Sequence, residues 1–345
     1  MLYVTTRNHL DTYTAQRALS LISGPEGGLF IPHRIPTVSW EELQTMSEQT
    51  MNQRLAGIVN LLFGTRLSSW DMDFTIGRHA VRMADVGQRI YLGESWHNAK
   101  WEFQQMVRSL SARVRVGTDE PEGPWMEIGV RIAVLFGVFG ELIRQGIASP
   151  GSPVDVAVTS GNFSAPMSAW YARAMGLPMG NIICCCNENG GIWDLFHHGE
   201  LRTDVVCTPT RTPEADVTVP AMLEMLISET CGPLEVERYL SVLHRGGMYC
   251  PEAGQLRAMR KGVQVSVVSG RRMMSTIPSV YGTGSYLLSP YTALAYAGLL
   301  DYRAQTGESR PGLVLAEKSP VLDVETVAQA LKIPVQELMD YLKKQ

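Results

Sequence analysis

The sequence predicts an α/β fold built around a parallel sheet. Val154–Val158 (VDVAV) has a buried-strand pattern. It is followed by the small-residue turn Thr159-Ser160-Gly161-Asn162-Phe163-Ser164, a helical stretch from Ala165 to Met175 closed by Gly176, and a second apolar strand, Asn181–Cys186. Strand, turn, helix, glycine stop and strand make a βαβ unit, whose crossover gives parallel strands of right-handed connection. Apolar residues make up 45% of the chain and charged residues 19%, enough for a sizeable core. At roughly 150 residues per domain, 345 residues allow about two lobes.

The other elements follow in order. Leu2–Thr5 reads as a short strand and Tyr13–Leu21 as a helix, then comes the turn Gly24-Pro25-Glu26-Gly27-Gly28 and the apolar run Leu29–Pro32. Glu41–Thr50 and Gln53–Phe63 have helical spacing, and Ile90–Leu92 is a strand candidate. Ala99–Arg113 carries Phe103, Met106, Val107 and Leu110 at helical intervals. The turn-like TDEPEGP (Thr118–Pro124) separates it from a long apolar helix, Trp125–Gly146. Beyond the βαβ unit, helices are expected at Val217–Leu226, Glu235–Leu243, Tyr291–Tyr302, Val324–Leu331 and Val335–Lys344, with strands at Gly262–Val268 and Gly312–Ala316.

Composition excludes several functions. Thirty basic against 34 acidic residues, net charge −4, leaves no electrostatic footprint for nucleic acid. No apolar run reaches the ~18 residues of a membrane span, and MLYVTTRNHLD lacks signal-peptide regions, so a cytoplasmic location is expected. Three of the six cysteines, Cys184 to Cys186, are adjacent on a strand. Neighbours there point to opposite faces and cannot easily gather around one metal; small buried thiols are expected. Asp194 and His198 share a helical face beside His197 and Glu200, but a solvated cluster is expected there, and no metal. Ser160 has no sequence-evident base, His97 being only a remote candidate for a nucleophilic arrangement. The pair Arg271-Arg272 reads as a solvated face.

The turn at Thr159–Ala165 is the candidate site. A small-residue turn between a parallel strand and a helix N-terminus can cradle an anion, because backbone N–H groups and the helix dipole face it. It lacks the dinucleotide and Walker patterns. A tight turn with Asn162 capping the helix is the competing reading.

The residues carry a resemblance as well. VTSGNFSAPMSAWYARAMGLPMGNIICCCNENGGIWDLFHHGEL resembles the threonine synthase stretch TGNFGD…AKxMGLP…ATNxND…FLxxG. Thr5-Thr6-Arg7 with GPEGGLFIPHRIP resembles that family's opening, YLLSPYTA resembles YLLDPHTA, and LVLAEKSP resembles VLSTAHP. The resemblance implies a fold-type II pyridoxal-phosphate-enzyme-like large domain, with Ser160, Gly161, Asn162, Phe163 and Ser164 at the cofactor phosphate. Ser164 and Ala165 replace the family's Gly and Asp.

Other departures bear on activity. The family's Schiff-base lysine lies in LFHGPTLAFKDF. Aligned with Leu92–Phe103, that position holds Trp101, with Lys100 one residue earlier. On a helix one residue is ~100° of rotation. A TSGDTGSA-like substrate loop is missing, which implies a reduced second lobe. Glu317 stands where the family has the threonine facing the ring nitrogen; a carboxylate there would favour ring protonation, although a surface acid near Lys318 is the plainer reading. Ser289 and Tyr291 replace the Asp and His of DPHTA.

The resemblance divides the chain into an N-terminal threonine-synthase-like region (1–90), a remnant of the lysine helix and small lobe (91–125), and a large α/β domain (126–345). Pyridoxal chemistry needs a capturing lysine and an orienting, water-excluding cleft. The expected function is therefore a homologue without threonine synthase activity, a pseudoenzyme in a binding or regulatory role toward a phosphorylated or small anionic ligand. The alternative is a pyridoxal-phosphate-dependent lyase of altered specificity using Lys100. Apolar surface bared by the reduced lobe would favour self-association.

Overall fold

The computed structural model describes residues 1–96, 101–115, 121–284 and 286–342. Its strands are β1 (Leu2–Thr5), β2 (Asn8–Thr14), β3 (Phe30–Pro32), β4 (Arg82–Asp85), β5 (Ile90–Glu94), β6 (Val154–Thr159), β7 (Met179–Cys186), β8 (Leu201–Arg202), β9 (Met248–Tyr249), β10 (Val263–Val267) and β11 (Gly312–Ala316). The first helices are α1 (Ala15–Leu19), α2 (Trp40–Ser47), α3 (Met51–Phe63), α4 (Ser69–Ile76), α5 (Phe103–Val114), α6 (Pro124–Arg144), α7 (Ser164–Ala174) and α8 (Gly191–His198). Those that follow are α9 (Leu223–Cys231), α10 (Pro233–Arg245), α11 (Ala253–Arg260), α12 (Gly270–Gly284), α13 (Pro290–Thr306), α14 (Val324–Leu331) and α15 (Val335–Leu342).

The architecture is α/β, as the βαβ pattern predicts. A six-stranded sheet has the order β10-β7-β6-β11-β5-β4. Its strands pair in parallel except β4, which runs antiparallel to β5 at the edge. Helices cover both faces, so the central strands are apolar throughout. Alternation sends Val156, Val158, Ile182, Cys184, Cys186, Leu313 and Leu315 into one core layer, and Ala157, Ile183, Cys185 and Val314 into the other. The three adjacent cysteines are thus buried on opposite sides of β7, as expected. Among the described residues, parallel pairing is confined to this sheet, and nine residues, 115–123, lie between α5 and α6 in the sequence.

Helix α6 is the spine of one layer, packing against α3 and α7. Three of its glycines make the approach possible. A Cβ on Gly129 would lie 2.5 Å from the Phe63 ring, on Gly137 2.5 Å from Leu55, and on Gly140 2.7 Å from Arg54. Glycine costs a helix about 1 kcal/mol relative to alanine; here close packing offsets that cost. No helix in the described residues is long and apolar enough to cross a membrane.

Where the elements differ from expectation, the strands involved have little to bury. Asn8–Thr14 forms β2, a hairpin partner of β1, and the helix expected from Tyr13 is shortened to α1, capped by the Thr14 hydroxyl. Leu10 on β2 is 91% exposed, so pairing rather than burial holds that strand. The helix expected at Val217–Leu226 starts at Leu223, because Pro220 and the Met222 N–H, which donates to the Asn162 carbonyl at 3.0 Å, shape a turn first. The N-terminal sheet docks on α9: Arg7 forks onto Glu224 (Nε–Oε1 3.0 Å, Nη2–Oε2 3.1 Å), and the Ser228 hydroxyl donates to the Thr6 carbonyl at 3.0 Å.

One contact between α7 and α9 sets a pH dependence. The Tyr171 hydroxyl donates to Glu229 at 2.7 Å. Burial pushes the Glu229 carboxyl up from 4.5 to about 7, against the lowering effect of that hydrogen bond. Between those values the folded state holds a proton that the unfolded state has released, so stability falls as pH rises through this window and levels off above it. Urea midpoints measured across it should fall in the wild type and fall less steeply in Glu229→Gln, which keeps a hydrogen-bonding partner for Tyr171.

Candidate functional site

In open parallel sheets, ligands bind at the carboxyl edge of the strands. Here β11 lies between β6 and β5, and the segments leaving these strands line an open cleft, which continues into a narrower compartment that shares Gln104, Thr159, Glu214, Tyr291 and Glu317 with it. The turn after β6 supplies Ser160, Gly161, Asn162 and Ser164, and the segment after β11 supplies Glu317 and Lys318. Helix α6 contributes Glu127 and Arg131, the start of α5 Glu102 to Gln104, and the start of α13 Tyr291.

The turn is tightly built. The Ser160 N–H donates to the Cys185 carbonyl at 2.9 Å, and the Phe163 N–H donates back to Ser160 at 2.7 Å. Gly161 (φ +41°) and Phe163 (φ +74°) are left-handed. For phenylalanine this is uncommon, and it persists because the ring is 1% exposed in the core. The Asn162 side chain accepts the Ser164 N–H at 3.0 Å, an i to i+2 turn bond; the capping reading is not met, because Phe163 stands at the N-cap and makes no side-chain cap. Pro166, in the first turn of α7, has no N–H to offer.

Beneath the turn lies the dominant electrostatic feature. The Arg131 side chain is 3% exposed. Its Nε donates to Glu317 Oε1 at 2.5 Å and its Nη2 to Glu317 Oε2 at 3.1 Å, a bidentate pair. Nη2 also donates to Glu127 Oε1 at 2.8 Å, and Nη1 to the Ser164 hydroxyl at 3.2 Å. The Ser164 hydroxyl in turn donates to Glu127 at 2.6 Å, and the guanidinium lies 4.3 Å over the Phe103 ring. Burial works against the Glu127 carboxylate, but Arg131 and Ser164 outweigh it and hold its pKa below the ordinary value. Burial likewise opposes the Arg131 charge, and Glu317 and Glu127 overcome it and push its pKa up.

The predicted residues are only partly reunited. Ser160, Gly161, Asn162 and Ser164 line the cleft with Glu317, whereas Phe163 turns into the core. Glu317 is neither an isolated surface acid nor the partner of Lys318: it is clamped by Arg131, and Lys318 pairs with Glu214. Lys100 lies outside the described residues, as does His97. Trp101 precedes α5, and Glu102 is extended (φ −138°) at the helix start, so Trp101 is not part of the helix expected there, which begins at Phe103. Sequence reading missed Glu127, Arg131, Glu102 and Glu214 as cleft residues. A glutamate and an arginine four apart within the otherwise apolar stretch Trp125–Gly140 were the available signal.

Elsewhere, His198 meets Asp194 at 3.4 Å with both side chains exposed, and His197 stacks on Trp193 at 4.3 Å. Arg272 is paired with Asp301 at 2.9 Å. Among the described residues no group of three or more His, Cys, Asp or Glu side chains could hold a metal ion.

Removing a partner from a buried ion pair leaves an uncompensated charge and costs about 3–5 kcal/mol. Arg131→Met, which keeps the stem's packing but strands two carboxylates, should lower stability by about that amount in urea unfolding.

Comparison with known proteins agrees with this architecture. Residues 2–78 match the family model of the threonine synthase N terminus. Human Threonine synthase-like 1 is 31% identical over 160 residues, covering 45% of this chain and 21% of that protein, so the match spans about a fifth of the relative's length. Threonine synthase of Pseudomonas aeruginosa is 27% identical over 186 residues, covering 53% of this chain and 39% of its own length. The pyridoxal-phosphate-bound threonine synthase of Brucella melitensis superposes with a TM-score of 0.82 at 17% identity, over 96% of this chain and 92% of that one. The yeast enzyme gives 0.83 at 16% identity, over 96% and 90%. The chain is thus similar in sequence to threonine synthase-like proteins and threonine synthases, most specifically over its N-terminal region, and it has the fold of the solved pyridoxal-phosphate-bound threonine synthase.

Proposed function

We propose that this threonine synthase-like chain has left threonine-forming chemistry and uses its carboxyl-edge cleft for binding. The supporting observation is the buried Arg131, shared between Glu127 and Glu317 under the turn where the family resemblance would seat a cofactor phosphate.

The residues do not fit pyridoxal phosphate. Two carboxylates against one guanidinium leave a net formal negative charge beside the turn. A phosphate dianion would add to it, in a setting where like charges disfavour each other's ionised forms. The Ser164 N–H is already taken by Asn162, its hydroxyl by Glu127 and Arg131, and Pro166 has no amide proton. The same charge balance weighs against the phosphorylated or anionic ligand suggested by the turn's shape. Trp101 at the aligned lysine position and the short connection 115–123 support a binding role over catalysis, with a reduced second lobe. Self-association and a cytoplasmic location belong to the same proposal.

Incubation with pyridoxal phosphate, borohydride reduction and peptide mass mapping test it. The expected result is no aldimine absorbance and no pyridoxyl-lysine above the level of surface lysines. A stoichiometric adduct on Lys100, lost in Lys100→Ala, would establish the alternative enzyme instead.

A further inference from the structure

The smaller compartment of the cleft already holds a cation. The Lys318 ammonium lies 4.5 Å from the centroid of the Tyr291 ring and is paired with the Glu214 carboxylate. An aromatic face and a carboxylate are the elements by which proteins recognise organic ammonium groups. The Tyr291 ring is kept in place at its far end, where its hydroxyl accepts the Glu214 N–H at 3.3 Å, and at its base, where Ser289 caps α13.

Acidic groups around this ammonium outnumber it. Glu102 lines the same compartment, and its Oε2 is buried with no hydrogen-bond partner among the described residues. Asp323 Oδ2, on the turn before α14, is in the same condition. Burial pushes both carboxyls up and Lys318 is the main opposing influence on each. Next door, Arg131 is fully engaged by Glu127 and Glu317 and offers nothing to these groups. The compartment is therefore lined by Glu102 and Glu214 with one ammonium, Lys318, and by an aromatic face that an ammonium can cover, while Asp323 acts on Lys318 from outside the lining and Arg108 acts on Glu102.

We propose that the cleft is a receptor for a small ligand carrying primary ammonium groups, with Lys318 as the resident that the ligand displaces from Tyr291 and Glu214. Glu102 supplies the second acidic contact. The inference rests on the binding role proposed above and gives it a ligand class: an aliphatic amine or diamine, not an anion.

Calorimetric titration with 1,4-diaminobutane, with butyrate and inorganic phosphate as controls at matched ionic strength, tests it. Saturable binding of the diamine alone is expected. Tyr291→Leu and Glu102→Gln should each weaken it about tenfold, while Lys318→Met, which vacates the aromatic face, should tighten it. Diamine binding indifferent to all three substitutions, no diamine binding, or preferential binding of phosphate or butyrate would overturn the ligand class. The two proposals fail separately. A pyridoxyl-lysine adduct on Lys100 defeats the binding role, whereas an absent adduct with no diamine binding defeats only the ligand assignment.

Discussion

The carboxyl edge of the sheet is organised by one buried guanidinium. Arg131 reaches out of α6 and joins three segments distant in sequence: its own helix through Glu127, the start of α7 through Ser164 and Ser168, and the chain leaving β11 through Glu317. Phe103 covers its face from α5. A charge this deep is tolerable only when its donors are used, and four oxygen-bearing side chains use them. The geometry of the cleft therefore follows from satisfying this group.

The network depends on the packing below it. α6 can bring Arg131 to the edge only because Gly129, Gly137 and Gly140 let it lie close against α3. β11 can deliver Glu317 opposite the turn after β6 only because the two strands are neighbours, with Leu313 paired to Val156. The functional consequence is electrostatic. A turn shaped like an anion cradle opens onto carboxylates, and the accessible cation, Lys318, is held over an aromatic ring rather than presented to a ligand.

Much of this fold was legible in the sequence. The βαβ unit could be read because β6 and β7 are buried on both faces and α7 ends at a glycine, Gly176, with φ +117°. β2 and β4 could not, since they lie at sheet edges and carry no apolar run to mark them. The turn from Ser160 to Ser164 was visible as small residues between a strand and a helix; Asn162 braces it by accepting the Ser164 N–H, but Phe163, not Asn162, stands at the helix N-cap. The charge facing it was not visible. Arg131 meets Ser164 across 33 residues and Glu317 across 186, and no local pattern encodes which loops a helix will cross. Glu317 could be placed near the site through the family resemblance, but its partner could not.

The claim that Glu317 and Glu127 consume the cleft's positive charge is tested most directly by freeing part of it. Glu317→Thr removes the bidentate partner and leaves Arg131 balanced by Glu127 alone. Calorimetric titration of both proteins with pyridoxal phosphate should show saturable binding in the variant and none in the wild type. Wild-type binding as tight as that of the variant would contradict the account.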